Sequence, residues 1–238
     1  MLQLAAIAIA FGMSQQAAAA RFTVGEVSEY SVRVAGIRVG TARLSVDSLV
    51  VVRGIPVYKV TLRMKGGIPL FSLDDVYQSW IDTSAQFSVR YWQLLNQTRY
   101  KNQRHFEIFP ERPAYSENGG ELESSVPNPL DELAFLFFIR TQKLEVGQTY
   151  RYDRYFRPDR NPVFLEVKRH ASVRTEMGTF DCLITQPRIP ASRMFSAGNA
   201  AEVAISTGPR RDIVQIRSRI AGFSVVLTLS RVEMKRAD

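Results

Sequence analysis

The sequence predicts a mainly β protein, a curved antiparallel sheet closing towards a barrel or roll, with one buried helix near residues 129–140. Three observations support this fold class. Apolar and polar residues alternate along many short segments, glycine and proline turn signals separate those segments, and one helical segment is apolar nearly all round. Alternation with period two buries one face of a strand and leaves the other in solvent, as in antiparallel sheets.

The clearest alternation runs over residues 57–64, where the apolar residues are Tyr58, Val60, Leu62 and Met64. The same criterion predicts strands over residues 30–34, 40–47, 75–81, 86–93, 97–109, 150–156, 164–170, 172–176, 179–189, 202–206, 213–219 and 223–234. Residues 66–69, Gly-Gly-Ile-Pro, are predicted to interrupt the pattern.

The predicted helix has clear start signals. Asn128 is a good N-cap, Pro129 suits the first helical position, and Asp131 and Glu132 complement the positive end of the helix dipole. Residues 130–139 are apolar nearly all round, so the helix is expected to be buried. It would lie in the concavity of the sheet or plug one end of a barrel.

Residues 1–20 form a predicted signal peptide. An apolar run precedes small residues, and Ala18 and Ala20 fit the Ala-x-Ala pattern that signal peptidase recognises. The predicted mature protein starts at Arg21, forms one soluble domain over residues 21–238, and lies in the periplasm. No later segment has the roughly 20 apolar residues that a membrane-spanning helix needs.

The net charge of +8 attracts polyanions. For an exported protein, those are anionic lipids, lipopolysaccharide and acidic envelope glycans rather than nucleic acid. The alternative interpretation is that the positive charge only keeps the protein soluble. Cys182 is the single cysteine, which excludes an intramolecular disulfide.

Signals for catalysis or cofactor binding are weak. The sequence has no P-loop, dinucleotide fingerprint or nucleophile elbow, so we expect no cofactor and no enzymatic activity. The two histidines, His105 and His170, are too few to indicate a zinc site. The remaining catalytic hypothesis is an envelope glycan hydrolase that uses Asp74, Asp75 or Asp82 as paired carboxylates.

Several segments together resemble one family, domain of unknown function 3108. They are Gly25-Glu26 with residues 36–42, residues 71–82, residues 128–131 with the helix and residues 146–150, and residues 178–182. The resemblance implies export in bacteria with an outer membrane and a β-rich, curved or barrel-like fold. It implies no known activity and no catalytic residues.

The favoured hypothesis is a non-catalytic envelope protein that binds a lipid-like or amphipathic ligand in the concave sheet. Its predicted ligand-binding residues are the aromatic residues Tyr77, Trp80, Tyr91, Trp92 and Phe106, with Arg63 and Arg90 at the rim. The alternative is a structural or partner-binding module that uses a sheet edge or the loop at residues 190–199. An interior filled by the helix would favour the module, whereas an open, aromatic-lined interior would favour the binding protein.

Overall fold

The computed structural model describes residues 22–68, 71–192, 195, 201–220 and 223–234. The predicted signal peptide and most of the loop at residues 190–199 therefore lie outside the described residues. Within them, the chain forms fourteen β-strands, one α-helix and one short 3-10 turn at Pro158–Arg160.

The strands are β1 Glu26–Val34, β2 Ile37–Val52, β3 Ile55–Ile68, β4 Phe71–Asp82, β5 Ser88–Gln97, β6 Tyr100–Phe109, β7 Ala114–Glu117, β8 Leu122–Ser124, β9 Thr149–Tyr152, β10 Val163–Thr175, β11 Gly178–Arg188, β12 Glu202–Ser206, β13 Ile213–Ile220 and β14 Phe223–Met234. The helix α1 spans Glu132–Thr141.

All fourteen strands form one antiparallel sheet, ordered β8-β7-β6-β5-β4-β3-β2-β1-β14-β13-β12-β11-β10-β9. The predicted mainly β fold with a large antiparallel sheet is confirmed. The sheet does not close through hydrogen bonds, because β8 and β9 are its two edges. Predicted segments 164–170 and 172–176 are one strand, β10, with a register shift near Val167.

Residues beyond the end of β9 bridge part of the gap between the two edges. After β8, the Leu130 N–H donates to the carbonyl of Arg154 at 2.6 Å, and the Phe156 N–H donates to the carbonyl of Leu130 at 3.0 Å. The ring of Phe156 then packs edge-on against Tyr115 on β7, with ring centroids 5.2 Å apart. Because residues 154–156 leave the strand for these contacts, β9 ends earlier than the predicted segment 150–156.

The prediction that residues 66–69 interrupt the strand is wrong at its start, because β3 continues to Ile68. Gly66 lies opposite Gly40 on β2, and the two backbones approach closely. A Cβ added at Gly66 would lie 2.8 Å from the Gly40 Cα and still closer to the Val39 carbonyl. Glycine is needed here for backbone approach within the sheet rather than for a turn.

The start of α1 also differs from the prediction. Asp131, not Asn128, is the N-cap, and its carboxylate accepts hydrogen bonds from the backbone N–H groups of Leu133 and Ala134. Residues 128–130 stay outside the helix because the Leu130 backbone bonds with the Arg154–Phe156 segment. The last turn carries Arg140, which complements the negative end of the helix dipole.

The helix packs on the inner face of the sheet. Every residue from Leu133 to Arg140 is buried, with at most 7% of its surface exposed. The apolar side chains among them join inward-facing residues from both halves of the sheet in one core cluster. The predicted buried helix is confirmed. It lies beside the starts of β1 and β5, because Arg140 bonds with Glu26 and Asp131 bonds with Ser88.

Candidate functional site

The inner face of the sheet, which α1 covers, carries three of the predicted ligand-binding residues. Tyr91 on β5 and Phe106 on β6 are fully buried, and Tyr77 on β4 packs against the same core. The ring of Phe106 stacks near Tyr91 at 6.0 Å and meets the ring of Phe156 edge-on at 5.0 Å. These aromatic faces are therefore occupied by other side chains of the protein.

The other four predicted residues lie on the outer face of the sheet. Trp80 packs in a small separate cluster with Val52, Val57 and Val89. Trp92 alternates with the inward-facing Tyr91, so it lies on the outer face beside Gln78 and His105 of the neighbouring strands. Arg63 is exposed on β3, and Arg90 lies over the Trp80 ring at 5.4 Å. The sheet thus separates the seven residues into two groups that cannot line one wall.

Both outer arginines have acidic partners. Arg63 donates two hydrogen bonds to Asp74, at 2.9 and 2.8 Å, and Arg90 donates to Glu107 at 2.6 Å. The hydrogen bonds from Arg63 lower the pKa of the Asp74 carboxyl group. Because the charges are already paired, these two arginines form no free rim for an anionic ligand.

A small cleft remains where the inner face of β5 and β6 meets residues 155–160. Three arginines line it, Arg104, Arg157 and Arg160, together with Tyr91 and Tyr155. Burial raises the pKa of both tyrosines well above the ordinary value, so their hydroxyl groups stay protonated and can donate or accept hydrogen bonds.

The guanidinium groups of this arginine cleft contact carboxylates. Arg104 donates to Glu117 at 2.6 and 2.8 Å, and Arg160 approaches Glu132 at 3.4 Å. The buried Nε of Arg160 makes no hydrogen bond to any described atom. The cleft therefore combines paired charges with one unused donor, and it has room for one water-sized group, such as a single oxygen of an anionic head group.

A family model described as a protein of unknown function, DUF3108, matches residues 29–230. The chain belongs to the DUF3108 family. The resemblance predicted from the four sequence segments is confirmed. No curated protein matches the sequence.

Solved structures show what the fold of this DUF3108 protein is similar to. A β-barrel-like protein of the DUF1849 family from Brucella abortus aligns with a TM-score of 0.58 and 10% identity, covering 92% of this chain and 100% of the other. A provisionally named lipoprotein from Parabacteroides distasonis has a TM-score of 0.31 and 14% identity over 90% of this chain and 97% of its own. A provisionally named exported protein with a YmcC-like fold from Bacteroides fragilis has a TM-score of 0.33 and 13% identity over 90% and 98%. The first match supports the barrel-like fold, and the other two scores are too low to carry an argument.

The carboxylates of the hydrolase hypothesis do not converge in this DUF3108 protein. Asp74 and Asp82 are eight residues apart on β4, a span of about 26 Å at the usual rise per strand residue. Asp75 is buried on the opposite face and accepts hydrogen bonds from the Asn96 backbone and the Gln97 side chain. Paired-carboxylate hydrolysis needs a separation of roughly 5 to 10 Å across one cleft, which none of these pairs provides.

The two carboxyl groups at the start of α1 have raised pKa values, and the sequence did not single them out as a site. Asp131 has no exposed surface, and burial raises the pKa of its carboxyl group to about 6. Its hydrogen bonds from Ser79 and the helix N–H groups oppose that rise. Burial likewise raises the pKa of Glu132, against the effect of Arg160.

A buried ion pair marks the other end of the helix. Arg140 donates to Glu26 at 2.7 Å, and both side chains are almost fully buried. Arg140 also donates to the backbone carbonyls of Arg210 and Arg211. The satisfied geometry indicates that this pair fixes how α1 sits in the sheet rather than forming a ligand site.

Cys182, His105 and His170 form no reactive or metal-binding group. Cys182 is buried, and burial raises the pKa of its thiol to about 11, so it behaves as a small apolar side chain. Across the described ranges, no three His, Cys, Asp or Glu side chains come close enough to hold a metal ion. In the same part of the chain, no helix has the length and apolar character to cross a membrane.

Proposed function

We propose that this protein is an exported, non-catalytic module of the bacterial cell envelope that binds a protein partner through a free edge of its sheet. The single observation that carries the proposal is that α1 and the inner face of the sheet pack into one buried core while the sheet stays open at β8 and β9. Because side chains fill the interior, the outer surface and the sheet edges are what remains to bind a partner. Export and a periplasmic location rest on the leader-like residues 1–20.

Of the two edges, β9 is better suited to accept a partner strand. It pairs with β10 on one side, and none of the described strands lies on its other side. Tyr150 and Tyr152 pack towards the core, while Thr149 and Arg151 are exposed. An unpaired edge presents backbone N–H and C=O groups that an extended segment can bind by β-augmentation. The other edge, β8, is only three residues long.

The experiment is site-specific photocrosslinking in cells that export the protein, with the crosslinker at Thr149 or Arg151. We expect a covalent adduct with one protein from both positions. The control position is Thr41, an equally exposed residue inside the sheet on β2, from which the adduct should be absent. The captured protein, once purified, should protect the β9 amides from hydrogen exchange.

Two results would overturn this proposal. One is an adduct that forms equally from Thr41, or from neither edge position. The other is a purified partner that leaves hydrogen exchange in β9 unchanged. Cell fractionation tests export separately, because retention in the cytosol with residues 1–20 intact would contradict the proposed location.

The arginine cleft favours a second candidate function, binding of the anionic head group of an amphipathic envelope molecule. Its support is the unused Nε donor of Arg160 beside the Tyr91 and Tyr155 hydroxyl groups. Native mass spectrometry of protein extracted from the envelope should then detect a bound ligand that Arg160→Gln loses. Protein recovered without ligand, together with no binding of added lipid or glycan, would contradict this candidate.

A further inference from the structure

Three hairpins of the sheet meet in one region. The turns after β1 and β13 are neighbours, because β14 pairs with both β1 and β13. The N–H of Ala35 in the β1–β2 turn donates to the Ser224 carbonyl of β14 at 2.9 Å. Arg38 approaches Glu176 at 3.5 Å, which places the β10–β11 turn beside the β1–β2 turn. We call this region the hairpin end and define it by residues 33–38, 174–178, 219 and 223–224.

Large apolar side chains are exposed on three hairpins of this end. Ile37 is 67% exposed, Phe223 is 59% exposed and Met177 is 46% exposed. Each lies at or beside a turn, beyond the last residues that the core buries. Protein–protein interfaces usually have a contiguous apolar centre with few charges, which three separate tips do not provide.

Basic side chains surround these tips. The exposed basic residues of the hairpin end that make no ion pair with a described carboxylate are Arg33, Arg174 and Arg219. The one acidic residue in the defined set, Glu176, is paired with Arg38. The hairpin end therefore concentrates uncompensated positive charge in a protein whose net charge is +8.

We propose that the hairpin end docks on an anionic lipid surface. Ile37, Phe223 and Met177 enter the interface between head groups and acyl chains, and the surrounding basic residues contact lipid phosphates. An anionic lipid surface offers an apolar layer to the exposed apolar side chains and negatively charged phosphates to the basic residues, so it matches both features of the hairpin end. The inference rests on the proposed function only in that export brings the protein to a membrane, and it uses a surface distinct from β9.

The test is co-sedimentation of the purified protein with vesicles of phosphatidylethanolamine, with and without phosphatidylglycerol. Binding is expected only with phosphatidylglycerol and should weaken as salt is raised. The double variant Ile37→Ser, Phe223→Ser should lower the partition coefficient roughly tenfold or more, because two apolar side chains no longer leave water. Arg174→Gln and Arg219→Gln should each lower it roughly fivefold.

Matched controls come from the other end of β2, far from Ile37. Leu49 and Val51, near the β2–β3 turn, are 57% and 70% exposed, and Leu49→Ser, Val51→Ser should leave partitioning unchanged. Arg112→Gln in the β6–β7 turn is the matched charge control. Circular dichroism confirms that each variant is folded.

Three outcomes would overturn the proposal. They are no binding to phosphatidylglycerol vesicles, equal losses from both ends, and salt-sensitive binding that the apolar tip variant leaves unchanged. The last outcome would mean non-specific adsorption of a basic protein. Because β9 is untouched in every variant, failure here is distinguishable from failure of the crosslinking experiment.

Discussion

Replacing Asp131 with asparagine should remove a specific part of the pH dependence of stability. The carboxylate is fully buried, caps α1, and accepts a hydrogen bond from the Ser79 hydroxyl at 2.6 Å. Its backbone N–H donates to the Ser88 hydroxyl at 2.9 Å. Asparagine has nearly the same shape and keeps an oxygen for the N–H groups of Leu133 and Ala134, but it cannot ionise.

The magnitude follows from the pKa of Asp131, which burial raises from 3.8 to about 6. A carboxyl group whose pKa is higher in the folded state stabilises the protein fully below pH 3.8 and loses this contribution as the pH rises through 6. A shift of two units corresponds to about 3 kcal/mol in total, of which about 2 kcal/mol falls between pH 4 and pH 7. Relative to Asp131→Asn, the wild-type free energy of unfolding should decrease by that amount over this interval.

The assay is urea unfolding of both proteins at pH 4, 5, 6 and 7, followed by the fluorescence of Trp80 and Trp92. Asp74→Asn is the control with the opposite sign, because the hydrogen bonds from Arg63 lower the pKa of Asp74. Its stabilising contribution is present above its unfolded pKa and is lost as the pH falls, and exposure limits it to about 1 kcal/mol or less. A wild-type minus Asp131→Asn difference that stays constant from pH 4 to pH 7 would refute the reasoning.

Three further predictions concern packing and reactivity. Phe137→Ala should lower the free energy of unfolding by about 3 to 5 kcal/mol in urea unfolding, because removing a fully buried ring of α1 leaves a cavity. A loss below about 1 kcal/mol would mean that the helix is not packed as described. Gly66→Ala should lower the free energy of unfolding by about 1 to 3 kcal/mol, because its Cβ would press on the β2 backbone. Gly208→Ala is the control, because a Cβ there would meet no atom within 4 Å, and it should change stability by less than about 0.5 kcal/mol. Equal melting temperatures of the two variants would contradict the close approach. Cys182 should resist alkylation by iodoacetamide at pH 8 until urea unfolds the protein, because burial raises the thiol pKa to about 11, and rapid labelling of the folded protein would count against this burial.

Local patterns were sufficient to predict most strands. Predicted segments 202–206 and 223–234 coincide with β12 and β14, because their alternation continues to the residues where pairing ends. The prediction at residues 66–69 was wrong at its start, where β3 continues to Ile68, and the reason is non-local. Gly66 meets Gly40 of another strand, and a sequence pattern does not show which backbone lies opposite a glycine.

The start of α1 shows the same limit. Both Asn128 and Asp131 are good N-cap residues, and local rules do not choose between them. The choice depends on Ser79 and Ser88, which contact Asp131 from distant strands, and on the bonds that hold Leu130 outside the helix. The perturbed pKa of Asp131 could be suspected only from its position at the start of an all-apolar helix.

The choice of predicted ligand-binding residues assumed that all of them lie on one face of the sheet. Alternation assigns Tyr91 and Trp92 to opposite faces of β5, but it does not say which face α1 covers. The arginine cleft was not predicted at all, because Arg104 on β6 and Arg160 after β9 meet only when Phe156 packs against Phe106 and Tyr115.

The sequence by itself determined the alternation that makes this chain a large antiparallel sheet, the apolar helix that must be buried, and the excess of positive charge. These are properties of neighbouring residues and of composition, so they can be read from the sequence alone. Only the tertiary structure decided that the helix packs beside the starts of β1 and β5, that β8 and β9 remain edges, and that exposed apolar tips and unpaired basic residues lie in one region. Each of these depends on contacts between residues far apart in the chain, which local periodicity does not specify.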